Sequence, residues 1–190
     1  RVGRIIMKMA AESLIPTTLE LGGKSPCIVD DDANLEISAR RVVFGKLLNG
    51  GQTCIAPDFV MVHESVKEQL LKLMKKFIVD RYGSTPAQSK DMCRIINRAH
   101  FLRLRNYLRC GKIYHGGNAI EDALYIEPTL LTDVSWEDAV MKEEIFGPVL
   151  PVIPFNDLKS TIKDLNEKEK PLAAYYFGKN KARQKYFIEK

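Results

Sequence analysis

Apolar positions recur at helical spacing in several segments of the chain, and short apolar runs lie between those segments. In residues 65–82 the apolar positions fall three or four residues apart: Val66, Leu70, Leu73 and Phe77. Ser65 followed by Glu68 matches a capping box, so we predict a helix that begins at Ser65. Weaker helical patterns cover residues 1–13, 34–48, 97–109 and 157–168. Asp32 and Asn34 are alternative caps for the helix that ends near residue 48.

Short apolar runs bounded by glycine, proline or polar residues predict the strands. These runs cover residues 17–21, 27–29, 59–63, 113–114, 126–131, 149–153 and, as a buried strand, 172–177. Strands that alternate with helices favour an α/β fold, so we predict three αβα layers around a largely parallel sheet. The sequence contains no internal repeat and no linker-like stretch, so we expect one principal domain.

Length and composition describe an ordinary globular protein. The chain has 190 residues, of which 45% are hydrophobic and 28% are charged, which excludes disordered and low-complexity classes. No apolar run approaches the ~20 residues that a membrane-spanning helix requires. The chain starts at Arg1 without an initiator methionine and stops at Lys190 inside an unfinished helical pattern. We therefore expect it to be part of a longer protein.

The cysteines predict neither a metal site nor a disulfide framework. The four are Cys27, Cys54, Cys93 and Cys110. They form no Cys-x-x-Cys pair and lie near no histidine at zinc-finger spacing, so no structural metal is expected. Reduced thiols indicate an intracellular, cytoplasmic protein, with membrane association only through a tail outside this chain.

Positive charge is concentrated in residues 90–112, where seven lysines and arginines face the single acid Asp91. A basic helix of this kind binds nucleic acid or an anionic lipid surface in some proteins. These charges also flank an apolar stripe, as they do on the solvated face of a surface helix: Phe101, Leu104 and Leu108. We favour the solvated face and expect no nucleic-acid partner, and we keep a non-catalytic interaction domain as an alternative.

Cys54 has the local setting of a reactive thiol. It follows Gly50-Gly51-Gln52-Thr53, in a loop between a predicted helix and a predicted strand. A cysteine thiolate attacks carbonyl carbon, and neighbouring glycines let the substrate and backbone N–H groups approach closely. A buried cysteine without any reactive role is an equally good interpretation of this residue taken alone.

Two further segments place carboxylates beside glycine turns. Glu20 is the one acid in an apolar run that ends at Gly22-Gly23, and it is either a general base or an acid that points to solvent or pairs with Lys24. Residues 143–148 read Glu-Glu-Ile-Phe-Gly-Pro, where an acid could accept hydrogen bonds from sugar hydroxyls. For this third segment, taken alone, we favour a solvated acidic turn with a phenylalanine in the core.

Taken together and in this order, these segments resemble the aldehyde dehydrogenase superfamily. The resemblance rests on residues 19–26 around the glutamate, on Gly-Gln-Thr-Cys at residues 51–54, and on Glu-Glu-Ile-Phe-Gly-Pro at residues 143–148. It covers essentially the whole chain. Cys-Ile-Ala-Pro-Asp at residues 54–58 and Arg-Ile-Ile-Asn at residues 94–97 are most similar to the class 3 branch, which handles medium-chain, fatty and aromatic aldehydes.

The resemblance implies a mechanism for Cys54 and Glu20. Cys54 would attack the aldehyde carbon to give a thiohemiacetal, hydride would pass to NAD or NADP, and Glu20 would activate water to hydrolyse the thioester. The backbone N–H of Cys54 would stabilise the oxyanion. We therefore predict that the Cys54 sulfur and the Glu20 carboxylate line one cavity.

The resemblance also implies the residues that would contact the NAD or NADP cofactor. Glu144 would bind the nicotinamide ribose hydroxyls, and Phe146 would pack beside the same end of the cofactor. The carbonyl of Leu21 would meet the carboxamide, and Val2 would touch adenine. No metal is expected at this site.

The same comparison divides the chain in two and limits its activity. Residues 1–20 would be a remnant of a Rossmann-type NAD(P)-binding domain, and residues 21–190 a catalytic domain that lacks its C-terminal part. We expect a homodimer that oxidises an aldehyde substrate, and we expect the isolated chain to lack dehydrogenase activity. A cofactor-free thiol esterase that uses Cys54 and Glu20 is the remaining alternative.

Overall fold

The computed structural model describes residues 2–190, which form a six-stranded sheet with helices on both faces. The helices are α1 (Val2–Glu12), α2 (Leu35–Leu47), α3 (Lys67–Tyr82), α4 (Arg98–Tyr107), α5 (Leu158–Asn166) and α6 (Lys181–Glu189). The strands are β1 (Pro26–Val29), β2 (Phe59–His63), β3 (Lys112–His115), β4 (Ala119–Ile120), β5 (Tyr125–Ile126), β6 (Thr129–Thr132), β7 (Val149–Phe155) and β8 (Tyr175–Phe177). Arg1, at the start of the first predicted helix, lies outside the described residues.

The strands of the main sheet are ordered β3-β6-β7-β2-β1-β8. Four of the five pairings are parallel, and only β3 runs antiparallel to its neighbour β6. Strands β4 and β5 form a separate antiparallel pair. The structure therefore confirms the prediction of a three-layer α/β fold with a largely parallel sheet.

Side chains on the two faces of the sheet belong to two apolar cores. Cys27 and Val29 of β1 pack in the core that contains residues of α2 and α3. Ile28, between them in sequence, packs in the core that contains residues of α4 and α5. This alternation follows from the two-residue period of a strand, and it covers both faces of the central strands.

Residues 17–21 form no strand in the described structure, so that prediction is wrong. The segment is extended, but it pairs with no described strand, and Thr18, Glu20 and Leu21 are exposed. An apolar run becomes a strand only where a neighbour offers a hydrogen-bonding edge. The predicted buried strand over residues 172–177 is shorter, because only Tyr175–Phe177 pairs with β1, at the partly exposed edge of the sheet.

Two other boundaries differ from the prediction. The helix predicted to begin at Ser65 begins at Lys67, because a 3₁₀ turn precedes it and the N–H of Ser65 bonds to the ring of His63. The run over residues 126–131 is divided between β5 and β6. Pro128 lies between the two strands and has no N–H to donate to a ladder.

Helix α1 contacts the remainder of the chain through a small residue. Gly3 is buried, and a Cβ atom placed on it would lie 3.0 Å from a methyl group of Leu21. Most of the other apolar residues of α1 are exposed: Val2, Ile5, Ile6, Met7 and Met9. The division into residues 1–20 and 21–190 stays a prediction. Within residues 2–190 no helix has both the length and the apolar character needed to span a bilayer.

Candidate active site

The three segments that carry candidate chemistry lie at one edge of the sheet. Residues 19–24 precede β1, Cys54 precedes β2, and residues 143–148 precede β7. These strands are parallel neighbours in the order β7-β2-β1. Segments that enter parallel neighbouring strands meet at the amino ends of those strands, so the topology brings all three together.

Glycines let the backbones of these segments approach one another closely. A Cβ atom on Gly22 would overlap the carboxylate of Glu144. Gly51 has φ +78°, and a Cβ atom there would overlap the carbonyl oxygen of Gly147. The glutamate segment and the cysteine segment therefore both pack directly against residues 144–147.

The thiol of Cys54 is exposed on a turn that is held at both ends. The side chain of Gln52 donates to the carbonyl of Arg94 at 3.0 Å and accepts from the N–H of Ile96 at 3.0 Å. The carbonyl of Ile55 accepts a hydrogen bond from the Tyr175 hydroxyl at 2.6 Å. The interpretation of Cys54 as a buried cysteine is therefore wrong, since its side chain is accessible to a substrate.

Cys27 shows what an unreactive cysteine of this chain looks like. It is fully buried in β1, and burial raises the pKa of its thiol far above the ordinary value. Cys93 and Cys110 are partly buried, and Cys54 is the one exposed cysteine among residues 2–190. Exposure within a glycine-rich turn therefore distinguishes Cys54 from the other three.

Glu20 lies exposed in the segment before β1, as the alternative of an acid that points to solvent predicts. Its alternative role as the partner of Lys24 is not observed, because the Lys24 ammonium is paired with Asp58. Leu19 and Leu21 on either side of Glu20 are directed towards Gly3 of α1. The shared cavity of Cys54 and Glu20 stays a prediction, supported by the contacts that join their two segments to residues 144–147.

The sequence did not predict the largely buried ion pair between Lys24 and Asp58, which lies next to the candidate site. Lys24 binds Asp58, whose side chain is 3% exposed, and also donates to the carbonyls of Val140 at 2.9 Å and Glu143 at 3.0 Å. Asp58 in turn accepts the N–H of Ile145 at 2.8 Å. A lysine and an aspartate 34 positions apart give no local signal in a sequence.

The carboxylate of Glu144 is half-buried in a charged environment. Burial raises its pKa above the ordinary value, while the N–H of Gly23 and the ammonium of Lys46 act to lower it. Lys46 is itself 2% exposed, and its ammonium has no hydrogen-bond partner among residues 2–190. Burial lowers the pKa of Lys46 to about 8, and the charges of Asp58 and Glu144 oppose that change.

These residues fit the nicotinamide end of a dinucleotide. The Glu144 carboxylate lies against the backbone of Gly22, and its oxygen atoms can accept hydrogen bonds from sugar hydroxyls. Phe146 is partly exposed, at φ +53°, and Leu21 is 54% exposed. Val2 is 69% exposed on α1, outside the contacts that join the three segments. The solvated acidic turn favoured for this segment alone is therefore wrong for Glu144.

Helix α4 contributes two side chains to the site that the sequence analysis left out. Arg98 and Arg105 follow the prediction of a solvated face, since both are exposed and pair with Glu121. Arg103 does not, because it donates to main-chain carbonyls of residues 144 and 145, and His100 contacts the carbonyl of Phe146. Their spacing of three residues on one helix face was the available signal.

Comparisons with known sequences agree with this arrangement. The family described as "Aldehyde dehydrogenase family" matches residues 1–190. A rat protein named "Aldehyde dehydrogenase, dimeric NADP-preferring" is 46% identical over 179 residues, which are 94% of this chain and 40% of the rat protein. The 4,4'-diaponeurosporen-aldehyde dehydrogenase of Staphylococcus aureus is 45% identical over 181 residues, 94% of this chain and 39% of that protein.

Mouse aldehyde dehydrogenase family 3 member A2 is 46% identical over 179 residues, 94% of this chain and 37% of the mouse protein. These relatives agree with the resemblance to the class 3 branch. The chain spans 37 to 40% of the length of these three relatives.

Solved structures agree with the fold as well. The substrate-bound AldH of Staphylococcus aureus superposes with a TM-score of 0.97 at 43% identity, covering 100% of this chain and 42% of that one. Lactaldehyde dehydrogenase of Escherichia coli superposes with a TM-score of 0.88 at 32% identity, covering 98% of this chain and 41% of that one. The chain belongs to the aldehyde dehydrogenase family.

Proposed function

We propose that this chain carries the nucleophile and the hydrolytic base of an NAD(P)-dependent aldehyde dehydrogenase. The observation that supports the proposal is the close packing of the Glu20 and Cys54 segments against residues 144–147 at one edge of the sheet. Nucleophile, water-activating base and cofactor contact must all reach one carbonyl carbon. The Glu20 segment contacts Glu144 at Gly22, and the Cys54 segment contacts Gly147 at Gly51. This proximity supports the assignment of all three roles to one site.

Cys54 forms the covalent bond to the substrate. Its thiolate attacks the aldehyde carbon, and the carbonyl oxygen becomes the oxyanion of a thiohemiacetal. The N–H of Cys54 donates a hydrogen bond to that oxyanion, and the turn over residues 53–56 keeps the N–H in place. The nicotinamide, when bound, supplies the acceptor for the hydride that leaves this carbon.

Glu20 acts in the second half of the reaction. The thioester carbon is attacked by water, and the Glu20 carboxylate takes the proton that the water loses. The C–S bond then breaks, so that the carboxylic acid leaves the site and the Cys54 thiolate is regenerated. The exposed position of Glu20 agrees with this role, because solvent reaches the carboxylate directly.

Glu144, Phe146, Leu21 and Val2 hold the cofactor in this proposal. The Glu144 carboxylate accepts the nicotinamide ribose hydroxyls, the Phe146 ring packs beside the same end, and the Leu21 carbonyl meets the carboxamide. Val2 contacts adenine from α1. Either NAD or NADP fits these roles, and the name of the rat relative favours NADP.

The relatives also guide the proposals for substrate and assembly. One acts, by its name, on 4,4'-diaponeurosporen-aldehyde, and another is named dimeric. We therefore propose an apolar aldehyde as substrate, of the medium-chain, fatty or aromatic kind, and a homodimer in the intact protein. Residues 1–190 alone should lack dehydrogenase turnover, since residues 1–20 would be only a remnant of the cofactor domain.

The decisive test is Cys54→Ser in the intact protein, with Cys110→Ser as the matched control. Cys54→Ser should abolish NAD(P)-dependent aldehyde oxidation while NAD(P) binding stays within about twofold, because a hydroxyl is a far weaker nucleophile at neutral pH. Cys110→Ser should keep both properties. Aldehyde turnover is followed by the absorbance of the reduced cofactor, and a substrate adduct on Cys54 by peptide mass spectrometry.

If Cys54→Ser retained its aldehyde turnover, Cys54 would not be the nucleophile. The cofactor-free esterase predicts instead that ester hydrolysis depends on Cys54 in a protein that never reduces NAD(P). The interaction domain predicts that no activity depends on Cys54. The ion pairs of Arg98 and Arg105 with Glu121 argue against it, because they neutralise part of the basic face.

A further inference from the structure

One face of α4 holds the main chain of residues 144–146, which we call the cofactor-contact segment. The Arg103 guanidinium donates to the carbonyl of Glu144 at 2.9 Å and to the carbonyl of Ile145 at 2.7 Å. The Nε2 atom of His100 lies 2.7 Å from the carbonyl oxygen of Phe146. Three consecutive carbonyls are therefore bound by two side chains one helical turn apart.

The contacts of His100 determine its protonation state. Two nitrogen atoms of Arg103 lie 3.1 and 3.4 Å from Nδ1 of His100. A guanidinium only donates hydrogen bonds, so Nδ1 must be an acceptor without a proton. The ring proton is therefore on Nε2, which donates it to the Phe146 carbonyl. His100 takes part in this arrangement as the neutral imidazole.

The cofactor-contact segment needs this support because its conformation is unfavourable. Phe146 has φ +53°, a left-handed conformation that side chains other than glycine rarely adopt. On the other side of the segment, Asp58 accepts the N–H of Ile145 at 2.8 Å. Asp58 and the α4 pair thus fix the backbone from which the Glu144 carboxylate extends over Gly22.

Protonation of His100 would place two cations in contact. A proton on Nδ1 would point at the Arg103 guanidinium, so the contact between the two side chains would be lost. Burial and the charge of Arg103 lower the pKa of His100, while the Phe146 carbonyl and the Glu143 carboxylate raise it. The neutral form is favoured on balance, and it is lost as the pH falls.

We propose that Arg103 and His100 are positioning residues for the nicotinamide cofactor, and that protonation of His100 weakens cofactor binding by displacing Arg103 from residues 144 and 145. This rests on the proposed function, because Glu144 and Phe146 are its cofactor contacts. Neither α4 residue touches the cofactor in this proposal. Each acts through the main chain of the cofactor-contact segment.

The experiment uses two variants of the intact protein and a control on the same helix. Arg103→Met removes both carbonyl bonds, whereas His100→Gln keeps a donor for Phe146 and an acceptor for Arg103 but cannot titrate. Arg98→Met, at a side chain 75% exposed and paired with Glu121, is the control. Dissociation constants for NAD and for NADP are measured at pH 8 and pH 6, with amide hydrogen exchange of residues 143–147 in the free protein.

Arg103→Met should weaken NAD(P) binding about tenfold and speed the exchange of the Ile145 amide, which is bonded to Asp58, about tenfold after correction for intrinsic rates. Arg98→Met should change neither. Wild-type binding should weaken at least threefold more between pH 8 and pH 6 than binding by His100→Gln. A titration of Glu144 affects both proteins equally, so the difference between them reports His100.

Two outcomes would overturn the inference: unchanged exchange in Arg103→Met, or the same pH dependence in wild type and His100→Gln. If Arg103→Met does not fold, the comparison of wild type with His100→Gln decides alone. If the wild type binds neither NAD nor NADP, the proposed function fails. Exchange at the two pH values then still decides whether α4 holds the segment.

Discussion

The two ends of the parallel strands hold their polar groups in different ways. At the amino ends of β1, β2 and β7, Lys24 and Asp58 form a buried ion pair across 34 sequence positions. At the carboxyl ends, Asp31 pairs with Arg183, and both side chains are about 40% exposed. The first pair fixes the backbone of residues that enter the site, whereas the second pair lies at the surface.

A cavity lies at the carboxyl ends of the parallel strands, whereas the candidate chemistry lies at their amino ends. A cavity of about 510 Å³ lies beside the carboxyl ends of β1, β2 and β7 and is lined by Asp30, His63, Asn156 and Arg183, among others. Open α/β sheets commonly bind ligands at this edge. In this chain Cys54 and the cofactor-contact segment lie at the opposite edge. The close glycine packing of the candidate segments and the Lys24–Asp58 pair are therefore features of the amino ends, whereas this cavity is a feature of the carboxyl ends.

The largest expected effect is that of Gly51→Ala, which tests whether close packing at the amino ends of the strands stabilises the protein. The new methyl group would overlap the Gly147 carbonyl oxygen, and alanine at φ +78° is strained in addition. We expect a loss of roughly 2–5 kcal/mol in the free energy of unfolding of the intact protein, measured by urea denaturation.

Gly83→Ala is the matched control for backbone strain. Gly83 has φ +77°, but a methyl group there meets nothing within 4 Å. Its cost should be roughly 1–3 kcal/mol from conformation alone, because φ +77° with ψ −178° is a conformation that essentially only glycine adopts. Equal losses of unfolding free energy in the two variants would mean that the close contact between Gly51 and Gly147 contributes nothing to stability. Close packing at the amino ends would then not distinguish them from the carboxyl ends.

A second prediction concerns the unpaired ammonium of Lys46. Replacing it by methionine removes a buried charge and keeps the length of the side chain. The difference between a pKa of 10.5 and about 8 corresponds to a penalty on the order of 3 kcal/mol, so Lys46→Met should raise the free energy of unfolding at pH 7. Lys24→Met is the comparison, and it should lower stability because Asp58 loses its cation.

The pH dependence of the Lys46 effect follows from the direction of its pKa shift. Between about pH 8 and pH 10.5 the unfolded chain binds the proton that the folded protein has released, so wild-type stability gains from rising pH. The advantage of Lys46→Met should be full below pH 8 and shrink towards pH 10.5. A constant advantage would show that packing, not charge, is responsible.

The sequence predicted most elements because their signals are local. Asn34 and Asn97 cap their helices in the structure, and the Phe59–His63 strand has the predicted bounds. The error over residues 17–21 has a different origin, since whether an apolar run pairs depends on which edge is nearby. No periodicity in the run itself contains that information.

The candidate site was predicted in part, for the same reason. Cys54 and Glu144 stand in short motifs beside glycines, but each motif taken alone left their roles open, and only the resemblance of the motifs to a known family assigned them. Arg103 was grouped with the solvated arginines, because its contacts with Glu144 and Ile145 lie 41 and 42 positions away. Composition of a helix face does not reveal which single side chain meets a distant carbonyl.

The smallest expected effect is that of Asp31→Asn at the carboxyl ends. Arg183 lies 2.6 Å from Asp31 but also 3.1 Å from the buried Asp30, so it keeps a partner when Asp31 is neutralised. Exposed pairs contribute about 0.2–1 kcal/mol, and we expect a loss at the lower end of that range in urea denaturation. Asp30→Asn should cost more, because Tyr176 also donates to that carboxylate. Aldehyde turnover and NAD(P) affinity should be unchanged in Asp31→Asn, since Asp31 follows the carboxyl end of β1 whereas Cys54 precedes the amino end of β2. A loss of aldehyde turnover approaching that of Cys54→Ser would mean that residues at the carboxyl ends take part in the reaction, and that the amino ends are not the only site of the chemistry.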